Sequence, residues 1–172
     1  MNNLKDCVII ADNSNVWIEG QKYSAKQRGL RRQCDIRWRV DFGKLLNEVS
    51  EGLPIRKAIL VGSRPPEEDS LWNVAIEKGF DVIVKDRNSI NKEKAVDTEL
   101  VVKGAELVCT TEPAVLKILS GDTDLKPLVD LANGRGWETE MWAFSSSISA
   151  IMRSSVSHVK PLDGIFDKIS LK

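Results

Sequence analysis

Three aspartates in this chain stand at the ends of short apolar segments, where a buried strand would end. Asp12 closes the run at residues 7–12, and Asp122 and Asp124 follow the run at residues 114–119 after a Ser-Gly turn. Short runs of branched apolar residues are typical of strands buried on both faces. The stretch after Asp124 has helical spacing, so Asp122 could simply cap a helix. The pattern alone leaves two interpretations open, a helix cap and a site for chemistry.

A fourth aspartate, Asp97, lies within the longest predicted helix, residues 93–109. It stands at the edge of an apolar stripe, where an unpaired carboxylate would cost free energy. Four carboxylates in one pocket cannot all ionise without a cation. Ligand sets made of oxygen alone, without a paired His or Cys, select hard ions such as Mg²⁺ or Mn²⁺. The four aspartates therefore predict an acidic Mg²⁺ or Mn²⁺ site that could activate water for attack on a phosphodiester.

The order of the predicted elements indicates how these acids would meet. Strands are predicted at residues 7–12, 57–62, 80–84, 114–119, 137–144 and 158–162, and helical patterns alternate with most of them. This alternation predicts an α/β fold with a mostly parallel sheet of five or six strands and helices on both faces. In a sheet of order 3-2-1-4-5 the first and fourth strands are neighbours. Asp12 and Asp122 would then lie side by side at the carboxyl ends of those strands.

Residues 20–40 form a basic segment, called the basic arm below. The arm carries seven Lys and Arg residues against one acid, whereas the rest of the chain carries 18 basic and 24 acidic residues. Such a concentration of positive charge favours contact with phosphates, with a merely soluble or disordered loop as the alternative. Tyr23 and Trp38 lie among the charges, and aromatic residues interleaved with basic ones are typical of proteins that bind single-stranded RNA. The predicted substrate contacts in the arm are Arg28, Arg31, Arg32, Arg37, Trp38 and Arg39.

Composition and missing motifs argue against several other classes of protein. No apolar run approaches the roughly 20 residues that a membrane span needs, and the first residues lack the pattern of a signal peptide. The three cysteines show no CxxC or Cys/His spacing, so we expect reduced thiols in a cytoplasmic protein, without structural zinc. GxGxxG, GxSxG and Walker motifs are absent, and the single histidine, His158, is assigned no role. We expect one domain over residues 1–172 and no membrane partner; a homo-oligomer is left open.

Three motifs, in this order, resemble the NYN-domain proteins of the PIN-like nuclease superfamily. They are IADNSN at residues 10–15, KAVD at residues 94–97 and LSGDTDLKPLV at residues 119–129, and the resemblance covers roughly residues 6–162. The first two motifs are weak singly, whereas the third is distinctive. The resemblance implies a PIN-like, Rossmann-like three-layer sandwich. It also implies a metal-dependent ribonuclease that acts on single-stranded or unpaired RNA, with the endo- or exonucleolytic mode left open.

The resemblance further implies roles for individual residues. The four aspartates would be catalytic metal ligands, Asn15 and Ser120 would be polar neighbours in contact with substrate, and Lys94 would contact a phosphate. The chain departs from the pattern in two places, because Lys103 and Ser157 stand where many relatives carry acids. These departures leave a second interpretation open, a catalytically weak or inactive RNA-binding module with the same fold.

A third interpretation is a phosphatase or receiver-type acidic site on a similar sheet. Enzymes that form an aspartyl-phosphate would place a DxD pair at the end of the first strand. This chain has Asp12-Asn13-Ser14-Asn15 there, which predicts a polar turn just past the strand, so the second acid is missing. The sequence therefore favours a nuclease over a phosphatase.

Overall fold

A computed structural model describes residues 5–63, 70–85 and 92–172, with the side chains of residues 92–94 left outside the description. Within these ranges the strands are β1 (Cys7–Asp12), β2 (Ile55–Ser63), β3 (Asp81–Lys85), β4 (Val115–Leu119), β5 (Glu138–Ala143) and β6 (His158–Pro161). The α-helices are α1 (Asn13–Gln27), α2 (Phe42–Ser50), α3 (Ser70–Glu77), α4 (Lys92–Thr110), α5 (Lys126–Gly134), α6 (Ala150–Ser155) and α7 (Phe166–Ile169).

The six strands form one sheet in the order β3-β2-β1-β4-β5-β6, and each neighbouring pair is parallel. This confirms the predicted α/β fold and strand order, with β6 added beside β5. Parallel neighbours need crossover connections, which the helices supply. Strand β1 lies between β2 and β4, with Ala11 opposite Leu119 in the β1–β4 pair. The carboxyl ends of β1 and β4 therefore lie side by side.

Helices cover both faces of the sheet and make the predicted three layers. Alternate residues of β1 point to opposite faces, so Ile9 belongs to one apolar core and Ile10 to the other. The core around Ile9 includes residues of α1, α2, α3 and α7. The core around Ile10 includes residues of α4, α5 and α6. Burial on both faces explains why β1 and β4 are mainly apolar in the sequence, although β4 also contains Lys117.

Helix α1 begins immediately after β1, where the sequence suggested a polar turn. Asp12 caps this helix by accepting a hydrogen bond from the backbone N–H of Asn15 (3.2 Å). Asn and Ser favour turns, but the same residues also begin helices, so this prediction of a turn was wrong. The first part of the basic arm, residues 20–27, is consequently helical. Only residues 28–40 form an irregular connection to α2.

Trp38 is buried, so the prediction that it stacks on RNA bases was wrong. Its ring stacks on Phe166 with 5.5 Å between ring centroids, and its indole N–H donates to Ser170 Oγ (2.8 Å). Helix α1 lies directly against this indole because Gly20 has no side chain; a Cβ there would meet the ring at 2.1 Å. The aromatic residue thus fastens the basic arm to the body of the protein.

A buried lysine lies within the apolar run of β4. Lys117 is 0% exposed, and its Nζ lies 2.8 Å from Glu140 Oε2 and 3.0 Å from Glu51 Oε2. Trp142 Nε1 donates to the same Glu140 oxygen (2.9 Å). A buried charge is tolerated when partners satisfy it on several sides. The sequence did not indicate this network, because its members lie on β4, β5 and the end of α2.

Candidate active site

Three of the four predicted acids converge beyond the carboxyl end of β4. Asp97, Asp122 and Asp124 each offer one carboxylate oxygen, and these oxygens all lie within 4.8 Å of one another. Asp97 is buried on α4, whereas Asp124 is exposed. Like charges at this separation repel one another, and a cation relieves that repulsion. These three residues, called the acid cluster below, could therefore hold a metal ion.

Hydrogen bonds within the turn after β4 orient two of these acids. Asp122 Oδ1 accepts a hydrogen bond from the backbone N–H of Asp124 (2.9 Å) and so caps a short 3-10 turn, Thr123–Leu125. Ser120 Oγ accepts a hydrogen bond from the backbone N–H of Asp122 (3.2 Å). Asp122 is thus both a cap and a member of the acid cluster. Ser120 is fully buried, so the prediction that it contacts substrate was wrong; it positions Asp122 instead.

Neighbouring elements fix the same turn from two sides. A Cβ on Gly121 would lie 2.3 Å from the backbone oxygen of Ser147, so only glycine allows this close approach. On the other side, Asn15 Oδ1 accepts a hydrogen bond from the backbone N–H of Gly121 (3.4 Å). Thr123 Oγ1 lies 3.1 Å from Ser149 Oγ. The loop after β5 and the first turn of α1 together hold the turn that carries Asp122 and Asp124.

Asp12 lies on the strand beside this turn but is not a member of the acid cluster. Its carboxylate is nearly buried and caps α1, which directs one oxygen towards the backbone of Asn15. Asn15 connects the two strand ends, because its N–H donates to Asp12 and its side chain accepts from Gly121. The structure thus brings Asp12 next to the turn without grouping all four carboxylates.

Two arginines of the basic arm are engaged in holding its shape. Asp35 is buried within the arm and accepts hydrogen bonds from Ser24 Oγ (2.7 Å) and Arg28 Nη1 (2.8 Å). The Ser24 hydroxyl, together with the Arg28 guanidinium, holds the pKa of Asp35 below its usual value. Arg39 Nη1 donates to the backbone oxygens of Ile36 (2.6 Å) and Trp38 (2.9 Å). Arg28 and Arg39 therefore stabilise the arm.

Arg31, Arg32 and Arg37 are exposed, and their guanidinium groups make no ion pair within the described parts of the chain. The arm is anchored near the edge of the sheet that carries the acids, because Tyr23 packs on Phe144 with 5.3 Å between ring centroids. Phe144 directly follows β5, the strand beside β4. The side chain of Lys94, predicted to contact a phosphate, lies outside the described residues.

An open cleft of about 570 Å³ borders the acid cluster between α4 and the start of α5. Asp97 and Asp124 belong to its wall, and Val101, Val102 and Pro127 contribute its apolar part. Sequence analysis did not identify this cleft. The available signal was Val102, an apolar residue that lies off the buried stripe of α4 and is 53% exposed.

Comparison with known proteins places the chain in a family. The family model described as the NYN domain matches residues 13–163. The chain belongs to the NYN domain family. NYN domains are PIN-like nuclease domains, and the acid cluster of this NYN protein lies within the matched residues, at the edge of the sheet where α/β folds bind ligands.

A solved structure of a protein of unknown function from Vibrio parahaemolyticus shares the fold. It aligns with a TM-score of 0.72 and 15% sequence identity, covering 99% of this chain and 99% of that chain. At this identity the likeness supports the architecture alone. The search of curated proteins gave no match. Among the described residues of this NYN protein, no helix is long and apolar enough to cross a membrane.

The two departures from the family pattern have local structural explanations. Lys103 pairs with Glu106 Oε2 (3.6 Å) on the same helix as Asp97. Ser157 precedes β6 and donates its backbone N–H to Thr139 Oγ1 (3.0 Å) near the start of β5. It therefore lies at the amino edge of the sheet, opposite the acid cluster.

Burial raises the pKa of the Cys7 thiol to about 11, so this cysteine is no candidate nucleophile.

Proposed function

We propose that this protein is a metal-dependent ribonuclease that hydrolyses phosphodiester bonds in RNA. One observation carries the proposal: three carboxylates converge within 4.8 Å at the carboxyl edge of the sheet of an NYN domain. Asp97, Asp122 and Asp124 are the proposed metal ligands and catalytic residues. The reaction uses water as the nucleophile, so the carboxylates act as ligands and not as attacking groups.

The donor set fits a hard divalent cation. Carboxylate oxygens alone suit Mg²⁺ or Mn²⁺, and the acid cluster contains neither His nor Cys. Such an ion, when bound, supplies positive charge for the phosphate oxygens and lowers the pKa of water. The buried position of Asp97 strengthens electrostatic interactions on the inner side of the site, while the exposed Asp124 leaves the outer side open to a polymer.

Asp12 is proposed as the fourth acid of the reaction centre. It stands on β1 beside the turn that carries the acid cluster, and Asn15 connects the two. From this place the Asp12 carboxylate would orient the attacking water or accept its proton. Asn15 is proposed to position both strand ends, and its partly exposed amide stays available to the substrate.

The proposed substrate is RNA that is single-stranded or locally unpaired. Arg31, Arg32 and Arg37 present exposed guanidinium groups on the basic arm, which suits a phosphate backbone. Tyr23 and Phe144 hold the arm near the acid-bearing edge of the sheet. Each arginine that contacts a phosphate should contribute to the salt dependence of RNA binding.

The test is cleavage of end-labelled single-stranded RNA by purified protein with Mn²⁺, with Mg²⁺ and with a chelator. We expect cleavage only with a divalent ion, and loss of cleavage in Asp122→Asn and Asp97→Asn. Glu106→Gln is the matched control, because Glu106 lies on α4 like Asp97 but pairs with Lys103 outside the acid cluster. The proposal is wrong if the RNA stays intact with Mn²⁺ and also with Mg²⁺, or if Asp122→Asn cleaves it as fast as wild type.

A second candidate function is a non-catalytic RNA-binding module. The observation that favours it is the position of Asp12 outside the acid cluster, together with Lys103 in place of an acid. Such a module would bind RNA with strong salt dependence in a chelator and would leave it uncut. Calorimetric binding of Mn²⁺ that disappears in Asp122→Asn would count against this alternative.

A further inference from the structure

The wall of the cleft beside the acid cluster is partly acidic and partly apolar, and the proposed hydrolysis uses only the acidic part. Asp97 and Asp124 belong both to the acid cluster and to the cleft wall. Beyond these two acids the wall becomes apolar, with Val101 and Val102 from α4 and Pro127 from α5. A group held at the acids would therefore extend directly into an apolar surface.

The apolar wall is open to solvent, because Val102 and Pro127 are exposed and Val101 is only half-buried. Val102 is 53% exposed, whereas Leu100 and Val108 on the same helix are buried. A single exposed valine is unremarkable on a protein surface. Here, however, the exposed valine lines a cleft that begins at the proposed reaction centre. A substrate held at the acids would therefore contact this apolar surface.

Close helix packing makes this cleft a preformed feature. Gly104 on α4 lies against Leu128 on α5, and a Cβ at Gly104 would meet Leu128 Cδ2 at 2.5 Å. The two helices that form the cleft walls are therefore held at a short and well-defined distance. Sites built on packed helices present their side chains with little freedom, which reduces the entropy cost of binding.

We propose that this cleft binds the nucleoside of an unpaired RNA residue next to the phosphate that is cleaved; this inference rests on the proposed function. A base offers an apolar face to the side chains of Val102 and Pro127, as bases do on sequence-tolerant platforms. A paired base has its faces covered by its neighbours and its edge by its partner. The cleft thus selects unpaired residues at the cleavage position.

Lys126 supplies the cation of the cleft wall. Its ammonium group pairs with Asp130 on the same helix, and both side chains are exposed. Exposed pairs of this kind contribute little to stability, so the ammonium group can exchange its partner for a phosphate. We assign to Lys126 a contact with the phosphate on the far side of the bound nucleoside.

The first test measures binding without requiring activity. Protein with isotope-labelled valine methyl groups is titrated with adenosine, and in parallel with ribose, without metal. We expect adenosine to shift the Val101 and Val102 methyl signals and ribose to leave them unchanged. The exposed Val74 on α3, at 44% exposure, is the internal control. Equal shifts with ribose, shifts of Val74 instead, or no shifts at all would overturn the inference.

The second test uses Val102→Gln, which keeps a neutral, helix-compatible residue but replaces the apolar surface. We expect kcat/KM for single-stranded RNA to fall about fivefold, equivalent to about 1 kcal/mol of lost base contact. Hydrolysis of an abasic ribose–phosphate oligomer, a phosphodiester chain without bases, should be unchanged. Val74→Gln should match wild type on both substrates. An equal loss on both substrates, or unchanged RNA cleavage, would contradict the inference.

The two tests separate failure of the cleft from failure of the proposed function. If wild-type protein cleaves neither substrate, the ribonuclease proposal fails, and the adenosine titration still decides whether the cleft takes a nucleoside. If wild-type protein cleaves RNA but Val102→Gln cleaves it equally well, the ribonuclease proposal stands and the cleft inference fails.

Discussion

Replacing Gly121 with alanine should destabilise the protein and displace the acid cluster. The new Cβ would lie 2.3 Å from the backbone oxygen of Ser147, whereas real Cβ atoms almost never approach closer than 3.0 Å. The turn or the opposing loop must therefore move by at least 0.7 Å, the difference between these two distances. Because the obstacle is backbone and not a flexible side chain, we expect a loss of about 1–3 kcal/mol in the free energy of unfolding, as in overpacked cores.

The displacement should also reach the acids, because Asp122 directly follows Gly121. A shift of several tenths of an ångström exceeds the roughly 0.2 Å tolerance of metal–ligand distances. We therefore expect weaker Mn²⁺ binding by calorimetry and, if the protein is a ribonuclease, a fall in cleavage rate towards the roughly 100-fold loss associated with a 1 Å misplacement. Urea unfolding measures the loss in the free energy of unfolding. A thermal melt should show a decrease in Tm of about 2–12 °C for a chain of this size.

Gly134→Ala is the control for this substitution. A Cβ at Gly134 meets nothing within 4 Å, and its backbone is not left-handed. Alanine there should change the free energy of unfolding by less than about 1 kcal/mol, in the stabilising direction. If Gly121→Ala unfolds at the same urea concentration as wild type and Gly134→Ala, and binds Mn²⁺ equally well, the close approach to Ser147 does not hold the turn.

Three further predictions concern the scaffold. Lys117→Met should lower the free energy of unfolding by about 3–5 kcal/mol, because it leaves the buried Glu140 carboxylate without its cation. Trp38→Ala should cost about 3–5 kcal/mol of stability and leave the RNA affinity of the folded protein unchanged, because the indole is buried. The protein should also lose stability in acid, because the folded state lowers the pKa of Asp35, chiefly through the hydrogen bond from Ser24. The stability that Asp35 contributes is complete above about pH 4, the pKa of an unfolded Asp, and disappears as the pH falls through the lower pKa of the folded state.

Each of these predictions has a measurement and a control. Urea unfolding of Lys117→Met is compared with Lys160→Met, whose exposed ammonium pairs with Glu51 and should contribute at most about 1 kcal/mol. Fluorescence anisotropy with labelled RNA in a chelator separates stability from affinity for Trp38→Ala; a large loss of affinity would restore the base-stacking role. For the acid effect, urea midpoints of wild type and Asp35→Asn are compared between about pH 6 and pH 3. Parallel curves would show that Asp35 does not contribute.

The strands and the two buried faces of the sheet could be predicted from local patterns in the sequence, and the strand order could be expected from the usual topology of doubly wound sheets. Strands buried on both faces must be mainly apolar, and parallel neighbours must be joined by crossover helices. The run that ends at Asp12 and the run before Ser120 satisfy both conditions. The adjacency of β1 and β4 follows from this topology, so the convergence of Asp122 with acids from distant parts of the chain was a reasonable expectation.

The roles of several polar and aromatic residues could not be predicted, because one residue type serves different purposes in different surroundings. Asn13 and Ser14 signal a turn as readily as the first turn of a helix, and the neighbouring strand decides between the two. Trp38 lies among arginines in the sequence, yet Gly20 and Phe166 enclose it in the fold. Lys117 lies in an apolar run, and only the positions of distant glutamates make its burial tolerable.

The chain's own pattern determined which residues could do chemistry: aspartates at strand ends and on one helix, a distinctive SGDTD turn, and a basic arm. Tertiary structure alone decided which of them meet. It grouped Asp97 with Asp122 and Asp124, because α4 packs against the 3-10 turn that follows β4, and it left Asp12 outside, because that carboxylate caps α1. Distances between side chains from separate elements depend on how those elements pack, and packing is set by contacts that no local stretch of sequence contains.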